Sequence, residues 1–184
     1  MKPTIKMIED LSLNAWPSHQ IQLYDGWLLR FSYFYTHRTN CVEQIGPSSI
    51  PIEEKIDFCE DAYHRWGTPS IFKITPLLPD DFEKRLIDRR YAVQHVTEVM
   101  TLDLAPWQIT MPPVSVRLER TINDRWIQSL FALKSTTSAI HRQIVPSMYH
   151  AIVKDTICAS IWNNGKIIGQ SRSLEKEDSS LQGF

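Results

Sequence analysis

Residues 25–42 read DGWLLRFSYFYTHRTNCV, and the reading of this stretch decides the fold. Asp25-Gly26 stands between apolar residues, Ile21 and Leu23 before it, Trp27 and Leu29 after it. Such a dipeptide tolerates two successive positive φ angles, the geometry of the tightest hairpin turn, so it predicts an antiparallel strand pair within His19–Phe34. Trp27 to Phe31 is short, apolar and aromatic, which suits a strand buried on both faces. Thr36, His37, Arg38, Thr39 and Asn40 then bring five polar groups together before Cys41 and Val42. Arg38 and Asn40 are the most site-like of these and are the candidate substrate-binding residues. The competing reading is a loop hydrogen-bonded to itself. Phe31, Tyr33, Phe34 and Tyr35 read as sheet core rather than as a base-stacking platform, because only Arg30 and Arg38 lie near to meet a phosphate.

Outward from this arm, Ile5, Ile8 and Leu11 predict an amphipathic helix over Ile5–Trp16 that Pro17 ends. Asn40–Ile45 reads as a third strand. Ile52, Ile56, Cys59, Tyr63 and Trp66 share one helical face, with Pro51 in the first turn and Gly67 just past the end. Ser70–Thr75 is a buried-strand candidate. Asp80 can cap a short helix carrying Phe82 and Leu86. Tyr91–Leu104, rich in Val and Thr, reads as a long strand. These elements make a unit over residues 1–105, and the proline-rich stretch 106–113 a linker.

A second unit is expected over 114–174. Val114, Val116 and Leu118 alternate with Ser115, Arg117 and Glu119, the pattern of a strand with its polar face wet. Asn123 or Asp124 can cap a helix carrying Trp126, Leu130 and Leu133. A second helix spans about His141–Val153 with Pro146 inside or near its start. Thr156–Trp162 and Lys166–Leu174 flank Asn163-Asn164-Gly165, another hairpin turn. Residues 175–184, EKEDSSLQGF, lack any period and are expected to fray.

Composition bounds the function. Lys plus Arg number 20 and Asp plus Glu 21, so no basic field is available to hold a nucleic-acid backbone. No apolar run is long enough to cross a bilayer, and the N-terminus lacks a signal-peptide core, so a cytoplasmic protein is expected. Cys41, Cys59 and Cys158 are too widely spaced for a zinc knuckle or redox pair, and each sits in an apolar pattern. Buried, reduced and inert thiols are expected. The six histidines show no ligand spacing, so no metal is expected. Asp80-Asp81 and Glu53-Glu54 stand at helix starts, where capping is the ordinary role of an acid.

DGWLLRF, THRTNCV, the E-x-x-Y pair Glu60 and Tyr63, and TEVMTLDL at Thr97–Leu104 resemble bacterial GNAT N-acetyltransferases built from two GNAT-like units in tandem. The strand, helix, helix, strand, strand order of the second segment resembles the start of a GNAT catalytic domain. The resemblance implies an α/β (mixed α+β) fold, a GNAT-like mixed sheet flanked by helices, one complete unit and the first part of another. It also implies acetyl-CoA as co-substrate and a small-molecule or peptide amine as acceptor. In such folds the CoA pyrophosphate sits on free backbone N–H groups at a helix start, in an Arg/Gln-x-x-Gly-x-Gly/Ala loop.

Neither unit has that loop. In the first, Ile45-Gly46-Pro47-Ser48-Ser49-Ile50-Pro51 has one glycine, two prolines and no arginine, and Glu53 and Glu54 would repel a pyrophosphate. In the second, Gln170–Phe184 does not resemble the strand, loop and helix that would follow. The chain is therefore expected to be an incomplete or inactive form that does not bind acetyl-CoA with family affinity, and no catalytic residue is assigned. The alternative is a non-catalytic GNAT-like binding or assembly module. The strand 166–174 would lack its later neighbour, so two copies are expected to pair through it, with Lys166 and Arg172 giving the edge some protection.

Overall fold

The computed structural model describes residues 4–102 and 114–174. The fold is mixed α/β, with two small antiparallel sheets and five α-helices among the described residues. These residues form two compact units, 4–9 with 18–102 and 10–17 with 114–174, so helix α1 (Ile5–Ala15) runs through the division. No helix among the described residues is long and apolar enough to cross a membrane.

In the first unit, β1 (Gln20–Tyr24) and β2 (Trp27–Phe31) pair antiparallel with Tyr24 opposite Trp27, and β3 (Val42–Gln44) adds to the other side of β2. The turn is the expected one: Asp25 has φ 41° and Gly26 φ 77°. Gly26 is required twice over. A Cβ there would overlap the Pro47 carbonyl oxygen and lie 2.8 Å from that of Gly46, while the Gly26 carbonyl accepts from the Ile45 and Gly46 amides. β2 is buried along its whole length, Trp27 at 2% exposure and Leu29 at 0%. Helix α2 (Ile52–Arg65) lays Ile56, Cys59 and Tyr63 into the same core. It ends at Gly67, φ 70°, with the Thr68 amide reaching back to the Tyr63 carbonyl. Helix α3 (Phe82–Asp88) adds buried Phe82 and Leu86.

Several expectations fail for local reasons. Ser70–Thr75 forms no strand; it makes one parallel bridge, Phe72 beside Val42, through the Val42 and Lys73 amides. Residues 91–102 are not a strand, and Val96 and Met100 are 86% and 87% exposed. Val and Thr favour a pleated surface, but without a partner ladder the backbone has nothing to pair with. Residues 103 and 104, the linker 106–113 and the tail 175–184 lie outside the described residues. Asp80 does not cap α3; Asp81 stands at the N-cap, with its carboxylate turned to Arg85. Tyr33 and Phe34 are not core: they are 61% and 39% exposed and lie at positive φ.

In the second unit, β4 (Val116–Glu119), β5 (Thr156–Asn163) and β6 (Lys166–Leu174) form an antiparallel sheet in that order. Asn164 at φ 47° and Gly165 at φ 76° close the β5–β6 hairpin. Asn123 caps α4 (Asp124–Leu133), its side chain accepting from the Trp126 amide at 2.9 Å. Helix α5 (Ala139–His150) starts earlier than its periodicity implied because Ser138 caps it, and it contains Pro146. Trp126, Ile127, Leu130 and Phe131 of α4 and Ile144, Val145, Met148 and Tyr149 of α5 are buried. β4 departs from expectation: all four residues are exposed, Leu118 at 69%. Its polar side chains Arg117 and Glu119 stand opposite buried Ser160 and Cys158 of β5.

Candidate functional site

The two candidate residues of the polar loop have different surroundings. Asn40 is 1% exposed and wholly engaged. Its Oδ1 accepts from the Ser32 amide at 2.5 Å and the Phe34 amide at 3.1 Å; its Nδ2 donates to the Thr36 carbonyl at 2.6 Å and Thr39 Oγ1 at 3.2 Å. These bonds hold Tyr33 and Phe34 at φ 51° and 52°, a conformation bulky residues rarely adopt. Arg38 is exposed; its carbonyl accepts from Arg30 Nη1 at 2.7 Å.

Beneath the loop lies a buried charge network that the apolar look of WLLRF hides. Arg30 is 2% exposed, with Nε donating to Ser18 Oγ at 2.9 Å and Nη1 to Glu43 Oε1 at 3.1 Å. Glu43, 4% exposed, also lies 3.7 Å from Lys73 Nζ, which pairs with Glu9. The Tyr63 hydroxyl donates to the Arg30 carbonyl at 2.8 Å and accepts from the Arg30 amide at 3.2 Å. Tyr63 thus acts on β2 as structure. Burial, reinforced by Glu43, pushes the Cys41 thiol up to about 12, and burial does the same for Cys59. Neither is a nucleophile near neutral pH.

The β3–α2 junction of the first unit is the helix start at which the resemblance led one to look for a phosphate loop. The amides of Ser49 and Ile50, just before the helix, are already taken. The Asp25 carboxylate accepts from the Ser49 amide at 2.9 Å and the Ile50 amide at 2.8 Å, and from Ser49 Oγ at 2.9 Å. The Ile50 amide bond leads the causes that hold the Asp25 carboxyl below its usual range. Lys55, 1% exposed, donates to the Asp25 carbonyl at 2.5 Å, bonds Ser48 Oγ, and lies 4.2 Å from the Trp27 ring centre. Glu53, in the first turn, is bonded by Arg85 and Arg89. The chain's own carboxylates have answered the positive end of α2.

The second unit offers a cleft instead. It encloses about 290 Å³ between β4, the start of α4 and the β5–β6 hairpin, and its wall includes Arg117, Glu119, Asn123, Arg125, Trp126 and Trp162. The guanidinium carbons of Arg117 and Arg125 each lie 4.4 Å from the centre of the Trp162 ring, so they are within twice that distance of each other. Trp162 is oriented by its Nε1–H, which donates to Ser160 Oγ at 2.9 Å. Glu119 accepts from Asn123 Nδ2 at 3.1 Å. Trp126 is 3% exposed, and its Nε1 has no hydrogen-bond partner among the described residues. Nothing in the sequence pattern pointed to this cleft; Arg117 read as part of a strand's wet face.

A family model described as the C-terminal part of the probable histone acetyltransferase Rv0428c matches residues 3–158. The chain belongs to this family. The match covers the described first unit and continues through β4, α4 and α5 into β5, so it includes Arg38, Asn40, Arg117 and Arg125, while Trp162 lies beyond it. No curated protein and no solved structure matches the chain.

Proposed function

We propose that this member of the acetyltransferase family is a GNAT-type N-acetyltransferase chain, with the first unit a scaffold and the second the working half. Acetyl-CoA is the donor and a small-molecule or peptide amine the acceptor. The observation that carries the reading is the family match over residues 3–158. The element order β4, α4, α5, β5, β6, with the three strands in one antiparallel sheet, supports it. In the reaction the amine nitrogen bonds to the thioester carbonyl carbon, the carbon–sulfur bond breaks, and the proton lost by the amine is balanced by one taken up at the thiolate. No described residue is assigned to these proton transfers. Three buried free cysteines fit a reducing, cytoplasmic setting.

The test is release of free thiol from acetyl-CoA, with a small primary amine and a lysine-containing peptide as acceptors. Amine-dependent release is expected, and only at millimolar acetyl-CoA, because neither unit has a glycine-rich helix start and Asp25 holds the Ser49 and Ile50 amides of the first. Release equal with and without amine at saturating donor would leave the alternative, a non-catalytic binding or assembly module.

The partner in this reading is a second copy of the chain. No described strand pairs with the outer edge of β6, and Ile168 beside it is 54% exposed. Arg172 does not guard that edge as its charge suggested. It turns inward, 5.1 Å from the Tyr149 ring centre and 5.8 Å from that of Trp16. Unpaired edges favour strand addition. Light scattering over a concentration series should show dimers that Ile168→Lys abolishes; an unchanged monomer in both would dismiss the pairing.

A further inference from the structure

We infer that the cleft between β4 and α4 binds the anionic group, phosphate or carboxylate, of a small ligand. Two guanidinium groups face one tryptophan ring there, each 4.4 Å from its centre. Among the described residues neither forms an ion pair or hydrogen bond; the stacking on Trp162 is what holds each of them. Like charges gathered this closely repel, and stacking on a ring leaves the edge N–H groups of a guanidinium free to bind. Arg125 stands at the second position of α4, where the helix dipole also opposes a cation.

The other charged groups nearby do not cancel this. Glu119 is the one carboxylate in the cleft wall; it accepts from Asn123 and offsets only one of the two positive charges. Asp124, the first residue of α4, points to solvent at 85% exposure, 3.6 Å from His150 Nε2. Trp126 also lines the wall, but its Nε1 is fully buried and adds no donor to the cleft. Two guanidiniums without an ion pair stand in a wall with one carboxylate, and an oxyanion offsets the remaining positive charge. The cleft's volume of about 290 Å³ suits a small anionic group rather than a long chain.

The inference stands apart from the acetyl-transfer reading, because it concerns binding without acetyl-CoA. The experiment follows the assigned indole N–H signal of Trp162 by NMR, with inorganic phosphate and glutarate titrated separately at constant ionic strength. A saturable shift is expected with at least one of them, and the tighter ligand tells phosphoryl from carboxylate recognition. Arg125→Gln, at an exposed helix position where folding should survive, should weaken that binding about tenfold or more, the loss of a charge-assisted bond. Arg117→Gln should do the same, and Arg142→Gln, on α5 over the Phe131 ring and absent from the cleft wall, should leave it unchanged. No saturable shift with either anion, or equal affinity in the Arg125 variant and the parent, would overturn the inference.

Discussion

Glu43→Gln is expected to destabilise the first unit by roughly 3–5 kcal/mol, because it leaves the buried Arg30 charge without its carboxylate. Arg30 and Glu43 are 2% and 4% exposed and 3.1 Å apart, so neither charge has water to fall back on. A domain's whole stability is only about 5–15 kcal/mol, so the loss should be visible as a large drop in the urea midpoint. The effect lies in the unpaired charge rather than in the worth of the pair. The double replacement Arg30→Met with Glu43→Leu should therefore recover much of the loss, since a buried pair exchanged for well-packed apolar groups is often neutral. Ser18, the Arg38 carbonyl and Lys73 would each lose a partner in that variant, so recovery should be partial. Unfolding followed by tryptophan fluorescence measures both. A Glu43→Gln loss below about 1 kcal/mol, the size of an exposed pair, would mean that the network is solvated in solution.

What could be read in advance follows from the range of the physics involved. Asp25-Gly26 and Asn164-Gly165 were legible because a two-residue turn is decided by φ preferences inside the dipeptide. Helix α2 and the Asn123 cap were legible because their signals lie within a few turns of chain. Residues 91–102 misled because strand propensity is local while a strand needs a distant partner, and none of the described segments supplies one. In β4 the alternation was real, but period alone does not say whether either face will be covered. Arg30 was hidden by the apolar residues around it, and its burial rests on Ser18, Glu43 and the Arg38 carbonyl. Asn40 was seen as site-like; the structure gives its amide four partners within the loop. The second-unit cleft depends on Arg117 and Arg125 meeting Trp162, a contact set by the β4–β5 register and the placement of α4 rather than by any local pattern.

In the proposed reading neither unit offers acetyl-CoA a glycine-rich helix start. A glycine-rich phosphate loop offers free amides at a helix start, and here Asp25 holds those of Ser49 and Ile50 while Pro47 and Pro51 have none to offer. An incoming pyrophosphate would have to displace a carboxylate that Lys55 also supports, 3.5 Å from its Oδ2, and would meet Glu53 and Glu54 in the first turn of α2. The effect should be large: binding far weaker than micromolar, and no response at the junction. The direct measurement is a titration of the isotopically labelled chain with acetyl-CoA, read at the Ser49 and Ile50 amides and by calorimetry on the same sample. The account predicts unmoved junction amides and no micromolar isotherm. One-to-one micromolar binding, with those two amides shifting as it saturates, would contradict it.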